Sequence, residues 1–275
     1  MSHEHERGPF DRGLAEDLRV WKQQLLGRRR LLKWVAYGGA LIACGEEGAS
    51  DPEGGSGNTN TSASSGSCPN QIPAETAGPY PGDGTNGPNV LTIDGVVRSD
   101  IRTSIGSASG VAGGVPVTLR MTVRSLSCTP LQDYVVYIWQ CDREGRYSMY
   151  SAGAENENYL RGVQQTDENG VVEFVTVFPA CYPGRWPHIH FEIYTGLSEA
   201  TVGRNAAATS QLAFPKAECD EVFTTTGYQA SVANLAALTL QTDGVFRDGV
   251  DLQLPAITGN ATDGYAATLE VTINA

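Results

Sequence analysis

Short hydrophobic segments separated by turns make up the chain from residue 68 onward. Runs rich in β-branched and aromatic residues, which are typical of strands, occur at residues 90–98, 115–123, 134–141, 171–178, 188–195, 211–214, 250–254 and 266–273. The run VVEFVTV follows the turn sequence TDENG and alternates as a half-buried strand does. Residues 228–240 form either a short helix or a loop of small residues. This spacing of strands predicts an all-β domain, a sandwich or a barrel.

Candidate functional side chains are concentrated in one segment, FPACYPGRWPHIHFEIY at residues 178–194. Successive side chains of a strand point to opposite faces, so His188 and His190 share one face. The other face receives three hydrophobic residues, Ile189, Phe191 and Ile193. After residue 43 these are the only histidines. They are either metal ligands or ordinary half-buried residues that hydrogen-bond across a sheet.

Two tyrosines are candidates for the same site. Tyr182 precedes His188 by six residues in a turn rich in Pro and Gly, and Tyr147 follows the strand sequence YVVYIWQC and its turn. Loops at strand ends commonly carry functional residues on a rigid sheet. The alternative for each tyrosine is interfacial packing with a solvated hydroxyl.

The N-terminal segment has the features of an export signal. Residues 28–44 read RRRLLKWVAYGGALIAC, a twin-arginine signature followed by an apolar run at residues 34–43. A membrane-spanning helix needs about 20 apolar residues, so this run fits a signal peptide instead. LIAC resembles a lipobox in which Cys44 is acylated; the alternative is a simple cleavage site beside an incidental cysteine.

We therefore expect a twin-arginine signal peptide at residues 1–43, a flexible Gly/Ser-rich tether at 44–67 and a folded domain at 68–275. The protein is expected to be exported, either anchored to the membrane through a lipid on Cys44 or free outside the cytoplasm. Without residues 1–43 the chain has 11 Lys+Arg against 26 Asp+Glu. Such an acidic surface disfavours nucleic acid and anionic lipid as partners.

Cysteine usage adds little about the site. Of the six cysteines, five remain once Cys44 is assigned to the lipid, and none forms a CxxC pair. One or two disulfides are expected in an exported protein, with a pairing that the sequence does not determine. A thiolate zinc site is not expected.

Five segments, in order along the chain, resemble the intradiol ring-cleavage dioxygenases, particularly their exported branch. They are ETAGPY (75–80), GVVRSDIR (95–102), IWQCDREGRYSMYS (138–151), YLRGVQQTDENGVVEF (159–174) and FPACYPGRWPHIHFEIY (178–194). The resemblance implies a β-sandwich with long loops that form a metal site. It also implies two substrates, a catechol-type aromatic diol and O2, and a muconate-type dicarboxylic acid as product.

The same resemblance implies an Fe(III) cofactor held by Tyr147, Tyr182, His188 and His190. Phenolates are hard anionic donors that suit Fe(III), and a catecholate is another. Tyr182 would also be catalytic. It would dissociate from the metal and accept a proton from the substrate. No further cofactor is implied.

Arg185 and Gln211 complete the implied catalytic set. The fixed charge of Arg185 could stabilise negative charge on the substrate ring, or the residue could form a surface ion pair. Arg161 could pair with a structural carboxylate or line the pocket, and the structural role is favoured. Cys181 and Trp186 depart from the pattern of relatives, so they are candidates for a different pocket wall.

Two other classes of function compete with this one. A non-catalytic β-sandwich lipoprotein that binds carbohydrate or a partner protein would share the tether, the acidic surface and the strand pattern. A zinc hydrolase would use His188 and His190 with Glu192, which lies on the same strand face.

The absence of a long helical segment before residue 75 favours a compact single-domain form, and the oligomeric state is left open.

Overall fold

Eight strands and two helices form the regular structure of residues 69–275, the part of the chain that this computed structural model describes. The strands are β1 (Pro116–Ser125), β2 (Val135–Trp139), β3 (Arg161–Gln165), β4 (Val171–Val177), β5 (His188–Tyr194), β6 (Ala208–Ala213), β7 (Ala256–Asn260) and β8 (Gly264–Ile273). The helices are α1 (Lys216–Val222) and α2 (Gln229–Ala236), with 3-10 turns at Gly203–Asn205 and Phe246–Asp248. The expected signal peptide, Cys44 and tether lie outside the described residues.

The strands form two four-stranded sheets, one ordered β4-β1-β8-β7 and the other β3-β2-β5-β6. The β1–β8 pair is parallel, and every other pair is antiparallel. The predicted all-β sandwich is therefore confirmed. No helix among residues 69–275 is long and apolar enough to cross a membrane.

The main core lies between the two sheets. Strand β1 alternates buried and more exposed positions, as a strand with one core face must. From the other sheet, β5 contributes Ile189, Phe191 and Ile193, each fully buried. Burying a side chain of this size contributes about 1.5–3 kcal/mol. The predicted division of β5 into a histidine face and a hydrophobic face is confirmed.

The outer face of the β2–β5 sheet is also buried. Tyr137, Trp139 and Tyr194 project from it into a second hydrophobic cluster. Loop residues cover this face, among them Val90, Leu91, Val96, Tyr147 and Tyr150. All seven residues of β5 are consequently buried, and its histidines lie in a region from which water is largely excluded.

Two of the predicted strands are wrong. Residues 90–98 form turns, in which Val90 and Ile93 accept backbone hydrogen bonds from Ile93 and Val96, respectively. The side chains of Val90, Leu91 and Val96 cover the outer face of the second sheet, and the backbone pairs with β3 only at the isolated Val97–Val163 bridge. Residues 250–254 also form a turn, closed by the Gln253 N–H to the Val250 carbonyl.

Other differences concern elements without a clear hydrophobic pattern. Strand β3 was not predicted because Arg161 and Gly162 interrupt its apolar character, and α1 is too short to show periodicity. Helix α2 falls within residues 228–240, so the helical alternative for that segment is confirmed. Cys128 is disulfide-bonded, which agrees with the expectation of at least one disulfide. Three cysteines of the described range are free and buried, Cys141, Cys181 and Cys219.

Candidate metal centre

The two histidines lie on the outer face of β5, held by strands on both sides. His190 is paired with Trp139 of β2 and with Gln211 of β6. The Trp139 ring stacks on the His190 imidazole with centroids 4.9 Å apart and an interplanar angle of 5°. His188 and His190 are 1% and 2% exposed. Sheet register and stacking therefore fix both imidazoles before any ligand binds.

Two tyrosine hydroxyls meet the imidazoles at one point. The Tyr147 Oη lies 3.3 Å from the His188 Nε2 and 3.4 Å from the His190 Nε2. The Tyr182 Oη lies 3.4 Å from the His188 Nε2, and the two Nε2 atoms are 3.0 Å apart. The structure thus brings together all four residues that the sequence indicates as ligands.

The two tyrosines differ in how firmly they are held. Tyr147 is 2% exposed, its ring lies 5.0 Å from that of Tyr80, and its N–H donates to the Ser151 Oγ. Tyr182 is half-buried on the loop between β4 and β5. Gly145 has a φ of +84°, and a Cβ there would lie 3.2 Å from the Tyr182 Cβ, so a glycine suits the turn that precedes Tyr147.

Burial keeps both imidazoles neutral. It lowers the pKa of His188 and of His190 well below the usual value, and the charge of Arg185 lowers both further. The His188 Nδ1 lies 2.5 Å from the Trp186 carbonyl oxygen, so it carries the proton and leaves the Nε2 lone pair facing the site. Two neutral imidazoles and two phenol oxygens form a donor set that fits a ferric ion, because the phenols supply negative charge when they ionise.

Arg185 and Gln211 are buried beside this donor set. Arg185 is 3% exposed, so the surface ion pair considered as its alternative is excluded. Its Nη2 donates to the Gln211 Oε1 at 2.6 Å, and the Gln211 Nε2 donates to the Thr76 carbonyl at 2.8 Å. Its Nε donates to the Asp243 Oδ2 at 3.1 Å. A buried arginine requires such partners, but nothing in the sequence around Asp243 indicated that this aspartate supplies one.

Three other residues singled out by the sequence support the site from outside it. Arg161 is fully buried and has a structural role, but it donates to neutral oxygens instead of the expected carboxylate. Cys181 and Trp186 both belong to the main core. The Trp186 indole N–H donates to the Phe214 carbonyl at 2.7 Å. These two departures from the family pattern therefore stabilise the loop that carries Tyr182.

Glu192 does not complete a zinc site with the histidines. Its carboxyl accepts a hydrogen bond from the Tyr194 hydroxyl at 2.5 Å, and burial raises its pKa to about 8. Among residues 69–275 no group of three or more His, Cys, Asp or Glu side chains could hold a metal ion. The hydrolase alternative has no ligand set in the described part of the chain.

Comparison with known proteins finds relatives in sequence family and in fold. The Dioxygenase family model matches residues 99–232, a range that includes Tyr147, Tyr182, His188 and His190. An intradiol ring-cleavage dioxygenase from Tetranychus urticae has a similar structure, with 25% identity and a TM-score of 0.57 over 74% of this chain and 95% of that one. Residues 99–232 therefore belong to the Dioxygenase family, and the domain has the fold of an intradiol ring-cleavage dioxygenase.

A second dioxygenase crystal structure has the same identity and TM-score, 25% and 0.57, over 74% of this chain and 94% of its own. No curated protein sequence matches the chain significantly. The chain therefore shares its fold with solved dioxygenases, while its sequence has diverged far from theirs.

Proposed function

We propose that this dioxygenase binds one ferric ion through Tyr147, Tyr182, His188 and His190 and cleaves a catechol-type diol between its two hydroxyl-bearing carbons. Both atoms of O2 enter the product, a muconate-type dicarboxylic acid, so the reaction needs no external reductant. The observation that supports this proposal is the convergence of two phenol oxygens and two imidazole nitrogens in one buried site. The non-catalytic alternative gives no reason for that convergence.

Tyr147 and Tyr182 have different roles because they differ in burial. Ferric iron, when bound, supplies a Lewis acid that accepts a catecholate and activates its ring toward O2. Tyr147 is buried and remains in place. Tyr182 is half-buried on its loop and so less firmly held, and its phenolate oxygen takes a proton from a catechol hydroxyl.

Arg185 places a permanent positive charge in the same low-dielectric region. Its field already acts on both imidazoles, whose pKa values it lowers. Negative charge that develops on the substrate ring is stabilised by such a fixed donor, because a guanidinium in a buried site needs no reorganisation during the reaction. Gln211 fixes one edge of that guanidinium.

Oxygen uptake with a panel of catechols tests the proposal. The iron-loaded protein should consume one O2 per catechol and release a ring-opened dicarboxylic acid that carries both oxygen atoms when ¹⁸O2 is used. His190→Ala should abolish turnover. Tyr182→Phe, which removes the proposed proton acceptor, should lower turnover. Tyr134→Phe, at a half-buried tyrosine packed against the main core, is the matched control and should not. If no catechol supports oxygen uptake by the iron-loaded protein, the proposal fails.

We further propose that the enzyme works outside the cytoplasm, exported by its twin-arginine signal and held by a lipid on Cys44. The sequences RRRLLK and LIAC support this proposal. Mass spectrometry of the mature N-terminal peptide should find a lipid-modified Cys44, and Cys44→Ser should release the protein from membranes. A mature chain that begins elsewhere, or an unmodified cysteine, would contradict the anchor.

A further inference from the structure

We infer that Asp243 is a positioning residue that aims the Arg185 guanidinium at the candidate metal centre. The inference rests on the proposed function, because it gives Arg185 a catalytic task. Asp243 lies beyond the residues that the Dioxygenase family model matches, 99–232, on the loop between α2 and the 3-10 turn at Phe246–Asp248. The C-terminal part of the domain thereby contributes to a site whose ligands all come from the matched part.

The Asp243 carboxylate is held rigidly. It is fully buried and accepts four hydrogen bonds. Its Oδ1 accepts from the backbone N–H groups of Val245 and Phe246 at 2.7 and 3.1 Å. Its Oδ2 accepts from the Trp186 N–H at 2.7 Å and from the Arg185 Nε at 3.1 Å. Three backbone donors therefore hold the carboxylate in place independently of the arginine.

A guanidinium is planar, so contacts at two different nitrogens define its orientation. Asp243 holds the Nε edge of Arg185, and the Gln211 Oε1 holds Nη2 at 2.6 Å. Gln211 itself is opposite His190 in the β5–β6 register and donates to the Thr76 carbonyl. The Phe246 ring, carried by the same loop as Asp243, lies 6.0 Å from the Arg185 Cζ.

A purely structural role for Asp243 is the competing explanation, since a buried arginine needs a counter-charge in any case. The two roles predict different couplings. If Asp243 acts by aiming Arg185, removing the aspartate matters only while the arginine is present. If Asp243 only stabilises the loop, its removal should impair the enzyme by the same factor with or without Arg185.

The kinetic test uses the iron-loaded enzyme and Asp243→Asn. We expect kcat to fall by about 10²-fold with little change in KM, since misplacing a catalytic group by about 1 Å has an effect of that size. Asp248→Asn makes the same chemical change at an exposed position nearby and should leave kcat unchanged. In the Arg185→Gln background, Asp243→Asn should lower kcat by less than about twofold. A further loss of tenfold or more in that background would overturn the inference.

A second readout does not depend on activity. In metal-free protein, the Arg185 Nε–H should exchange slowly with solvent by NMR, because it is donated to a buried carboxylate. Asp243→Asn should speed that exchange at least tenfold, while Asp248→Asn should not. An unchanged exchange rate in Asp243→Asn refutes the positioning role. If Asp243→Asn does not fold, the comparison of Arg185→Gln with the double variant decides, because the double variant leaves no uncompensated buried charge.

Failure of the inference and failure of the proposed function give different results. Wild-type protein without dioxygenase activity contradicts the function, whereas the NMR arm still reports whether Asp243 holds the arginine. Active wild-type enzyme whose Asp243→Asn variant keeps full kcat contradicts the inference alone.

Discussion

Arg161→Met should destabilise the domain strongly, because this arginine joins the two loops that cover the candidate metal centre. Arg161 lies at the start of β3, is fully buried and makes five hydrogen bonds to neutral oxygens. Two of the acceptors are the backbone carbonyls of Tyr80 and Ser148, each 2.9 Å away. Ser148 is the neighbour of Tyr147, so the same guanidinium fixes the backbone beside a proposed ligand.

The magnitude follows from the acceptors that lose this donor. Methionine fills a similar volume, so the loss of packing is small. The Pro81 carbonyl keeps the Tyr137 hydroxyl at 2.6 Å as a donor. The carbonyls of Tyr80 and Ser148 each lose a charged donor in a buried environment, at about 1–3 kcal/mol apiece. The free energy of unfolding should therefore fall by about 2–6 kcal/mol.

Urea denaturation of wild type and variant measures this difference directly. Arg120→Met on β1 is the matched control, because Arg120 is 50% exposed and its ion pair with Glu173 is 3.8 Å long. A surface pair of this kind contributes about 0–1 kcal/mol. Equal destabilisation by the two substitutions, or a loss below about 1 kcal/mol for Arg161→Met, would refute the reasoning.

Three further predictions concern other parts of the domain. Gly203→Ala should lower the thermal midpoint, because its Cβ would overlap the Asp83 carboxylate and overpacking destabilises by about 1–3 kcal/mol. Gly196→Ala has open space for the Cβ and should leave the midpoint unchanged, so equal midpoints for the two variants would contradict this. In native protein at pH 8, a thiol reagent should not modify Cys141, Cys181 or Cys219, since all three are buried and burial raises the pKa of each thiol. Peptide mass mapping of the modified sites checks this, and labelling of these cysteines without denaturant would disprove it. Glu221 has a lowered pKa because the Ala261 N–H and the Tyr265 hydroxyl donate to it, so its stabilising effect is present above the unfolded pKa and is lost as the pH falls through the folded pKa. The thermal midpoint of Glu221→Gln should accordingly depend less on pH between about 3 and 5 than that of wild type, and parallel curves would count against this.

Much of the sandwich could be predicted because its strands repeat with a period of two. The runs that became β1, β2, β4, β5 and β8 all carry continuous or alternating apolar residues that face the core. Residues 90–98 have a similar composition, yet they cover the sheet as turns. Hydrophobic content predicts burial in both cases, and it does not distinguish a strand from a loop that packs over a strand.

The candidate site could be predicted in part for a related reason. His188 and His190 are close in sequence and share a strand face, and ordered motifs connected them to Tyr147 and Tyr182. Asp243 could not be found this way, because it lies 58 residues from Arg185 along the chain. Long-range pairing of a buried charge depends on how loops fold back over the sandwich, and no local pattern records it.

Titration of metal-free protein with Fe(III), followed by visible absorption, tests the central claim most directly. The account predicts a tyrosinate-to-iron charge-transfer band that saturates at one equivalent of iron. Tyr147→Phe and Tyr182→Phe should each change this band. Tyr150→Phe, whose hydroxyl donates to the Asn86 amide oxygen instead, should leave it unchanged. A colourless protein that takes up no iron would contradict the two-tyrosine, two-histidine site.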